Sequence, residues 1–288
     1  MSESNKAGIE DRADSDRNTV DTPNGLIDQE LVTFSVEAAI KAGRIALNWF
    51  QSRGLAVTTK RDGSPVTEAD YVVERFLRSE IIAAFPGDAI LGEEEGTIGA
   101  VAGEADRCWV IDPIDGTKAF TQGVPLFATL LALVDDLGPA LGVICLPALN
   151  ECVWAARGDG TYWSRDISRV SDTAEACGVS SRNSLTGAYV CTSGLSYWPE
   201  RSLERVRASG ARVRTWGDAY GYALVATGRA DAMIDPECRD WDIAPMSVVI
   251  AEAGGRFTDT SGVADWRNGS GLASNQILHD QLLQCFRP

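Results

Sequence analysis

Histidine is almost missing from this chain of 288 residues: His279 stands alone, close to the C-terminus. That scarcity removes whole classes of chemistry, because histidine-based zinc centres, histidine-nucleophile phosphatases and Ser-His-Asp triads all lack their parts. Paired cysteines are lacking too. The seven cysteines, at 108, 145, 152, 177, 191, 238 and 285, are odd in number, scattered and nowhere spaced Cys-x-x-Cys, which disfavours a disulfide framework or a zinc ribbon. They read as small core residues and inert thiols. No run of about 18 apolar residues occurs, so no membrane span is expected. The N-terminus has neither the basic start, apolar middle and small-residue cleavage site of a secretory signal nor the acid-poor character of a transit peptide, which leaves the cytoplasm as the default location. Positive charge is scarce: the formal charge is −15, of which residues 1–30 carry −5 from three Lys and Arg against eight Asp and Glu. Binding to a nucleic-acid backbone is therefore disfavoured. Two phosphate motifs are missing as well, the Gly-Lys-Ser/Thr of a P-loop and the Cys-x5-Arg of a cysteine phosphatase.

What remains is ordinary globular material, 44% apolar and 23% charged, long enough for one large domain or two packed ones. Residues 1–25 are polar and charged, nearly devoid of large apolar groups, and read as a disordered acidic tail. From Asp28, placed to act as N-cap, an Ala-rich stretch to Phe50 has apolar groups at helical intervals, with Gly54 beyond it as a stop. Thr67 opens a second amphipathic helix, in which Val73, Leu77 and Ile81 share a side with Val72, Phe76 and Phe85 until Pro86-Gly87 ends it. Cys108 to Ile111 is predicted to be a short strand that gives way to a loop at Asp112. Runs at 127–135, 139–146 and 151–157, joined by short connections, predict an antiparallel meander. After Ser168 strands alternate with helices, the latter over 199–208, 218–228 and 243–253. The mixture predicts a layered α+β architecture: an N-terminal subdomain over 26–165 and a C-terminal one over 166–288, with a soft boundary near 165 and no linker.

Chemistry is sought among the carboxylates. Asp112 and Asp115 lie three apart across Pro113, in a turn able to point both side chains one way, and hard cations such as Mg²⁺ take such oxygens together with peptide carbonyls. The same spacing serves an Asx turn, so the pair alone leaves both roles open. Company narrows the choice: Gly92-Glu93-Glu94-Glu95-Gly96 upstream, Gly116-Thr117 directly after, and Asp240-Trp241-Asp242 far downstream. On these motifs the chain resembles the inositol monophosphatase family. Its signatures are similar to Trp109-Val-Ile-Asp-Pro-Ile-Asp-Gly-Thr-Lys-Ala-Phe120 and to Trp241-Asp-Ile-Ala-Pro-Met-Ser-Val-Val-Ile-Ala-Glu-Ala-Gly-Gly255. Lys60-Arg-Asp-Gly-Ser-Pro-Val-Thr-Glu-Ala-Asp70 resembles the family's mobile active-site segment.

The resemblance implies an αβαβα sugar-phosphatase-like fold, in which the N-terminal subdomain carries a metal site and the C-terminal one completes the substrate pocket. It implies a homodimer and a magnesium-dependent phosphomonoesterase acting on a small molecule. Glu93, Asp112, the Ile114 carbonyl, Asp115 and Asp242 would hold two or three Mg²⁺ ions. Glu93 and a Thr117 hydrogen-bonded to Asp70 would orient the attacking water, and the amides of Gly116 and Thr117 would cradle the phosphate. Plainer roles stand beside these: Glu93 as a solvated loop residue, Thr117 and Asp242 as helix caps. A covalent phospho-aspartate of the haloacid-dehalogenase kind is not expected, since that pattern has one residue between its aspartates and this chain has two.

Substrate choice lies elsewhere. Gly217-Asp218-Ala219 stands where inositol-specific members carry Gly-Thr-Ala, and Asp235 stands where they carry a substrate-contacting glutamate. The Gly-Asp-x-Tyr-Gly-Tyr form resembles the histidinol-phosphate phosphatase branch. An added carboxylate suits a cationic amine or imidazolium better than a neutral polyol. Gly217, Asp218 and Asp235 are thus expected substrate contacts, and hydrolysis of L-histidinol phosphate is the expected reaction. Inositol 1-phosphate or broad sugar-phosphate hydrolysis is the alternative, and a non-catalytic metal-dependent binding protein the third reading. Asp218 is equally placed to cap the helix of Tyr220 and Tyr222. Pro245, where the family commonly has Gly or Ala, is expected in the first helical turn.

Overall fold

The computed structural model describes residues 26–99 and 106–287. The tail expected over residues 1–25 lies outside the described residues. Asp28 caps α1 (Gln29–Trp49) by accepting from the Glu30 amide at 2.9 Å. A hairpin of β1 (Val57–Thr59) and β2 (Pro65–Thr67) leads into α2 (Glu68–Ala84), which Thr67 and Asp70 close with a reciprocal capping box. Then come β3 (Ala89–Gly92), β4 (Gly96–Ile98), β5 (Arg107–Asp115), the short α3 (Thr117–Thr121), β6 (Ala128–Asp135), β7 (Gly138–Leu146), β8 (Glu151–Ala156) and β9 (Gly160–Ser164). The remainder comprises α4 (Val170–Thr173), β10 (Glu175–Cys177), β11 (Tyr189–Cys191), α5 (Glu200–Ala208), β12 (Arg212–Arg214), α6 (Asp218–Ala226), β13 (Ala232–Asp235), α7 (Asp240–Glu252), β14 (Gly255–Thr258), β15 (Gly271–Asn275) and α8 (Gln276–Phe286).

Two sheets organise these elements. The larger has eight strands in the order β10-β9-β8-β7-β6-β5-β3-β4, antiparallel throughout except for the β3–β5 pair. Its strands alternate between two apolar faces, as the period of two requires. On β7, Leu141, Val143 and Cys145 join the core beneath α1 and α2, whereas Ile144 and Leu146 join the core shared with α6 and α7. The smaller sheet, β12-β11-β13-β15-β14, meets that second core with one face and packs α5 and α8 with the other. The layers are therefore helix, sheet, helix, sheet, helix, the five-layer arrangement that the resemblance implied.

The expected meander is present as β6, β7 and β8. Two boundaries differ from expectation. β5 does not end at Ile111 but runs through Asp115, because the ladder with β6 resumes at Asp115 and Ala128. α7 begins at Asp240, so Pro245 lies inside the helix beyond its first turn. Having no N–H, Pro245 leaves the Trp241 carbonyl without its helical donor. Room on β7 accommodates this stretch of helix: a Cβ on Gly142 would come within 2.5 Å of the Pro245 carbonyl oxygen and 2.9 Å of its Cα. All seven cysteines are free, and burial pushes the Cys108 and Cys177 thiols up to about 11. Among the described residues no helix is long and apolar enough to cross a membrane.

Candidate active site

Residues three apart on a regular strand point to opposite faces. Asp112 and Asp115 escape this because β5 bulges between them. Asp112 pairs with Leu130 and Asp115 with Ala128, so three steps on β5 oppose two on β6. The Thr129 hydroxyl fixes the bulge by donating to the Pro113 carbonyl at 3.0 Å. Both carboxylates then meet Asp242, from the first turn of α7, with ligand oxygens of all three within 4.8 Å of one another. Glu93 arrives from β3, where Gly92 stands opposite Ile111 and the Glu93 amide donates to the Ile111 carbonyl at 3.2 Å.

Glu93 lies close enough for its charge to act on Asp112, and burial with mutual repulsion raises the pKa of each of the three aspartates. Burial, followed by the charges of Glu93, Asp115 and Asp242, holds Asp112 well above the usual carboxylate range. Burial also raises Asp115, with Asp218 and Asp242 adding to it. Asp242 rises to about 7, chiefly by burial, although the Arg239 amide donates to it at 2.7 Å. Asp112 is only 2% exposed, and its Oδ1 has no hydrogen-bond partner. Buried oxygen donors that repel one another, one of them unsatisfied, fit a hard divalent cation of the Mg²⁺ type. Lys60 meets part of that need, placing its ammonium 2.7 Å from Glu93 and 2.6 Å from Glu94.

The groups expected to handle water and phosphate are differently connected than the resemblance implied. Thr117 donates to the Ile114 carbonyl at 3.0 Å rather than to Asp70. Asp70 is engaged closer to home, accepting from the amide and hydroxyl of Thr67 at 2.8 and 2.6 Å in the α2 capping box. Its other oxygen is buried without a partner, and burial lifts its pKa to about 6. Gly116, at φ +77°, caps α3 in a left-handed conformation; a Cβ there would meet the Leu126 carbonyl at 2.9 Å and Asp218 Oδ2 at 3.2 Å.

That Asp218 contact joins the two halves of the site. The Ala219 amide donates to Asp115 at 2.6 Å, tying the start of α6 to the acidic cluster. Gly217 is the N-cap of α6 without any side-chain capping bond, so Asp218 does not serve as the cap. It instead takes φ +52°, unusual for a residue with a Cβ, and its carboxyl is raised by burial. Asp235, at the end of β13, is buried and raised to about 7 by burial. Ser193, which the sequence reading missed, connects the pair: its amide donates to Asp235 at 2.9 Å and its hydroxyl accepts from the Asp218 amide at 2.9 Å. No local pattern marks Ser193, though Gly217 carries its trace, since a Cβ there would fall 2.3 Å from the Ser193 Cα. Lys118 stands at the rim, donating to the Tyr197 hydroxyl at 2.7 Å, with its charge acting on Asp218.

Comparison with known proteins gives matches over most of the chain. The inositol monophosphatase family matches residues 27–287. A histidinol-phosphatase of Mycobacterium tuberculosis is 42% identical over 239 residues, covering 81% of this chain and 89% of its own. A histidinol-phosphatase of Streptomyces coelicolor is 37% identical over 270 residues, 91% of this chain and 97% of its own. A Thermotoga maritima protein named fructose-1,6-bisphosphatase/inositol-1-monophosphatase is 36% identical over 223 residues, 76% and 81% of the two chains. The crystal structure of extragenic suppressor protein SuhB from Bartonella henselae superposes with a TM-score of 0.79 at 28% identity, over 90% of this chain and 98% of that one.

Proposed function

The chain belongs to the inositol monophosphatase family and is a phosphomonoesterase, and from that premise we propose that it hydrolyses L-histidinol phosphate to L-histidinol and phosphate. The observation that carries the choice of substrate is Asp218. Freed from capping and facing the acidic cluster, it adds a carboxylate to the leaving-group side beside Asp235. A cationic ammonium or imidazolium gains from such a pocket, whereas a neutral polyol gains little. The kinship with two histidinol-phosphatases supports the same reading.

Glu93, Asp112, the Ile114 carbonyl, Asp115 and Asp242 are the residues that would hold two or three Mg²⁺ ions. When bound, Mg²⁺ supplies charge neutralisation and Lewis-acid activation for water and phosphate. The residues of the chain do the rest. Glu93 and the Thr117 hydroxyl, which here donates to the Ile114 carbonyl, would orient the attacking water, and Asp70, engaged by Thr67, would assist without a bond to Thr117. The amides of Gly116 and Thr117 face the phosphoryl oxygens, while Gly217, Asp218 and Asp235 hold the departing alcohol. No side chain is asked to become a phosphoryl carrier. We assign the enzyme to cytoplasmic histidine biosynthesis, working as a homodimer, in line with the family resemblance.

Kinetic comparison tests the substrate. Histidinol phosphate is expected to give a much higher kcat/KM than inositol 1-phosphate, and Asp218→Asn is expected to narrow the gap. Equal efficiencies in the unaltered protein would overturn the histidinol reading in favour of inositol 1-phosphate or broad sugar-phosphate hydrolysis, which the Thermotoga relative's name favours.

A further inference from the structure

Two side chains outside the acidic cluster are buried in a manner that packing alone does not explain. Glu74 and Arg78, one turn apart on α2, are 0% and 4% exposed and paired at 2.8 Å. A buried ion pair is weak evidence for stability, because desolvating two charges offsets most of their attraction. What this pair does is visible in its remaining bonds. Glu74 Oε2 accepts from the Glu94 amide at 2.7 Å, and Oε1 accepts from the Glu95 amide at 2.9 Å. Arg78 donates to the Gly96 carbonyl. Together they hold the backbone of the whole turn between β3 and β4, the turn that carries Glu93.

The neighbouring glycine shows how close the arrangement is. A Cβ on Gly92 would stand 2.2 Å from Glu74 Oε1 and 2.6 Å from Arg78 Nη2, so position 92 is kept bare to let the ion pair reach the turn. Glu93 is thereby fixed from both sides. The β5 ladder holds its amide at Ile111, and Glu74 holds the two amides that follow it. The side chains of the three adjacent glutamates are paired separately, Glu93 and Glu94 with Lys60 and Glu95 with Arg75, so the clamp acts on the backbone of the turn.

We propose that Glu74 and Arg78 are positioning residues for the metal site, a buried clamp that aims the Glu93 carboxylate at Asp112 and so sets the affinity for the divalent cation. This rests on Glu93 being a ligand, as proposed above. The clamp touches neither substrate nor ion and acts only through the turn.

Calorimetric titration of the metal-free protein with Mg²⁺, in the absence of substrate, tests it. Glu74→Gln keeps the size of the side chain but exchanges one acceptor for a donor. It is expected to weaken Mg²⁺ binding by about 10- to 100-fold, the range seen when groups that orient ligands are altered, with the far-ultraviolet circular dichroism unchanged. A double variant, Glu74→Leu with Arg78→Leu, separates positioning from stability. Replacing the pair by apolar side chains removes both buried charges together, so the melting temperature is expected to fall less than in Glu74→Leu alone, while Mg²⁺ binding stays weak. Mg²⁺ affinity within twofold of the unaltered protein in Glu74→Gln, or affinity that recovers together with melting temperature in the double variant, would overturn the clamp. Glu93→Gln, titrated alongside, keeps the two readings apart. If it weakens binding and Glu74→Gln does not, the clamp alone fails; if it leaves binding unchanged, the ligand assignment fails and the clamp with it.

Discussion

At the scale of single residues, the site is a set of carboxylates held together against their own charge. Asp112 illustrates the cost, since burial and three neighbouring acids all favour its protonated form. Asp112→Asn removes that repulsion. It is expected to raise the melting temperature of the metal-free protein while lowering turnover by about 10³-fold or more, the effect of losing several kcal/mol of charge stabilisation in the transition state. Melting by circular dichroism and phosphate release check the two halves, and near-normal activity would refute the ligand role. Ser193 belongs to the same scale. Ser193→Ala removes the acceptor for the Asp218 amide and is expected to cut kcat/KM for histidinol phosphate about tenfold, the worth of one hydrogen bond in a charged setting. Hydrolysis of p-nitrophenyl phosphate, which has no cationic group, should change far less, and an equal loss on both substrates would deny Ser193 its part in specificity. Asp112, Asp115, Asp242 and Glu93 were legible in the sequence because they sit in recognisable motifs. Ser193 and Glu74 were not, since a serine in a loop and a glutamate in a helix look alike whether solvated or buried.

Individual elements carry the next level of design. The bulge in β5 turns a spacing of three into a shared direction, which no propensity reveals; the sequence suggested a turn after Ile111, and the ladder with β6 overrode it. α7 depends on an equally close fit. Pro245 read from sequence as a first-turn residue, but it lies deeper, and β7 yields at Gly142 to accept that part of the helix. Gly142→Ala drives a methyl into the helix backbone and is expected to destabilise the fold by about 1–3 kcal/mol, typical of overpacking. Because Asp242 rides on α7, Mg²⁺ affinity should fall along with melting temperature. Unchanged values of both would show that the contact is soft.

For the whole molecule, the order of strands could not be read from local pattern. The β6–β7–β8 meander was legible, since short connections favour adjacent antiparallel pairing. The parallel approach of β3 to β5 was not, and the five layers came only through the resemblance. Acidic convergence at the centre of those layers has a consequence for the stability of the entire fold. Asp70, Asp235 and Asp242 hold their protons to about 6, 7 and 7, above the value near 4 expected when unfolded. The folded chain thus binds more protons than the unfolded one, and this contribution to stability is present at low pH and lost as pH rises through about 7. His279, buried between Thr258 and Ser274 and pushed down to about 4, works in the opposite sense as pH falls below 6.5. Above that value the carboxylates dominate. In EDTA the melting temperature is expected to fall from pH 6.5 to pH 8, and added Mg²⁺ should raise it more at pH 8. A metal-free melting temperature that climbs over this interval would contradict the acidic convergence.

The assembly of the cluster from β3, β5 and α7 also bears on how the protein comes to life in a cell. Glu93, Asp112 and Asp115 are synthesised well before Asp242 and before Ala219, whose amide steadies Asp115. A chain still emerging from the ribosome carries three of the four carboxylates proposed as metal ligands but neither Asp242 nor the amide that steadies Asp115. On the proposed metal assignment the site is complete only once α6 and α7 dock, so ion capture is expected to follow their folding rather than to template it.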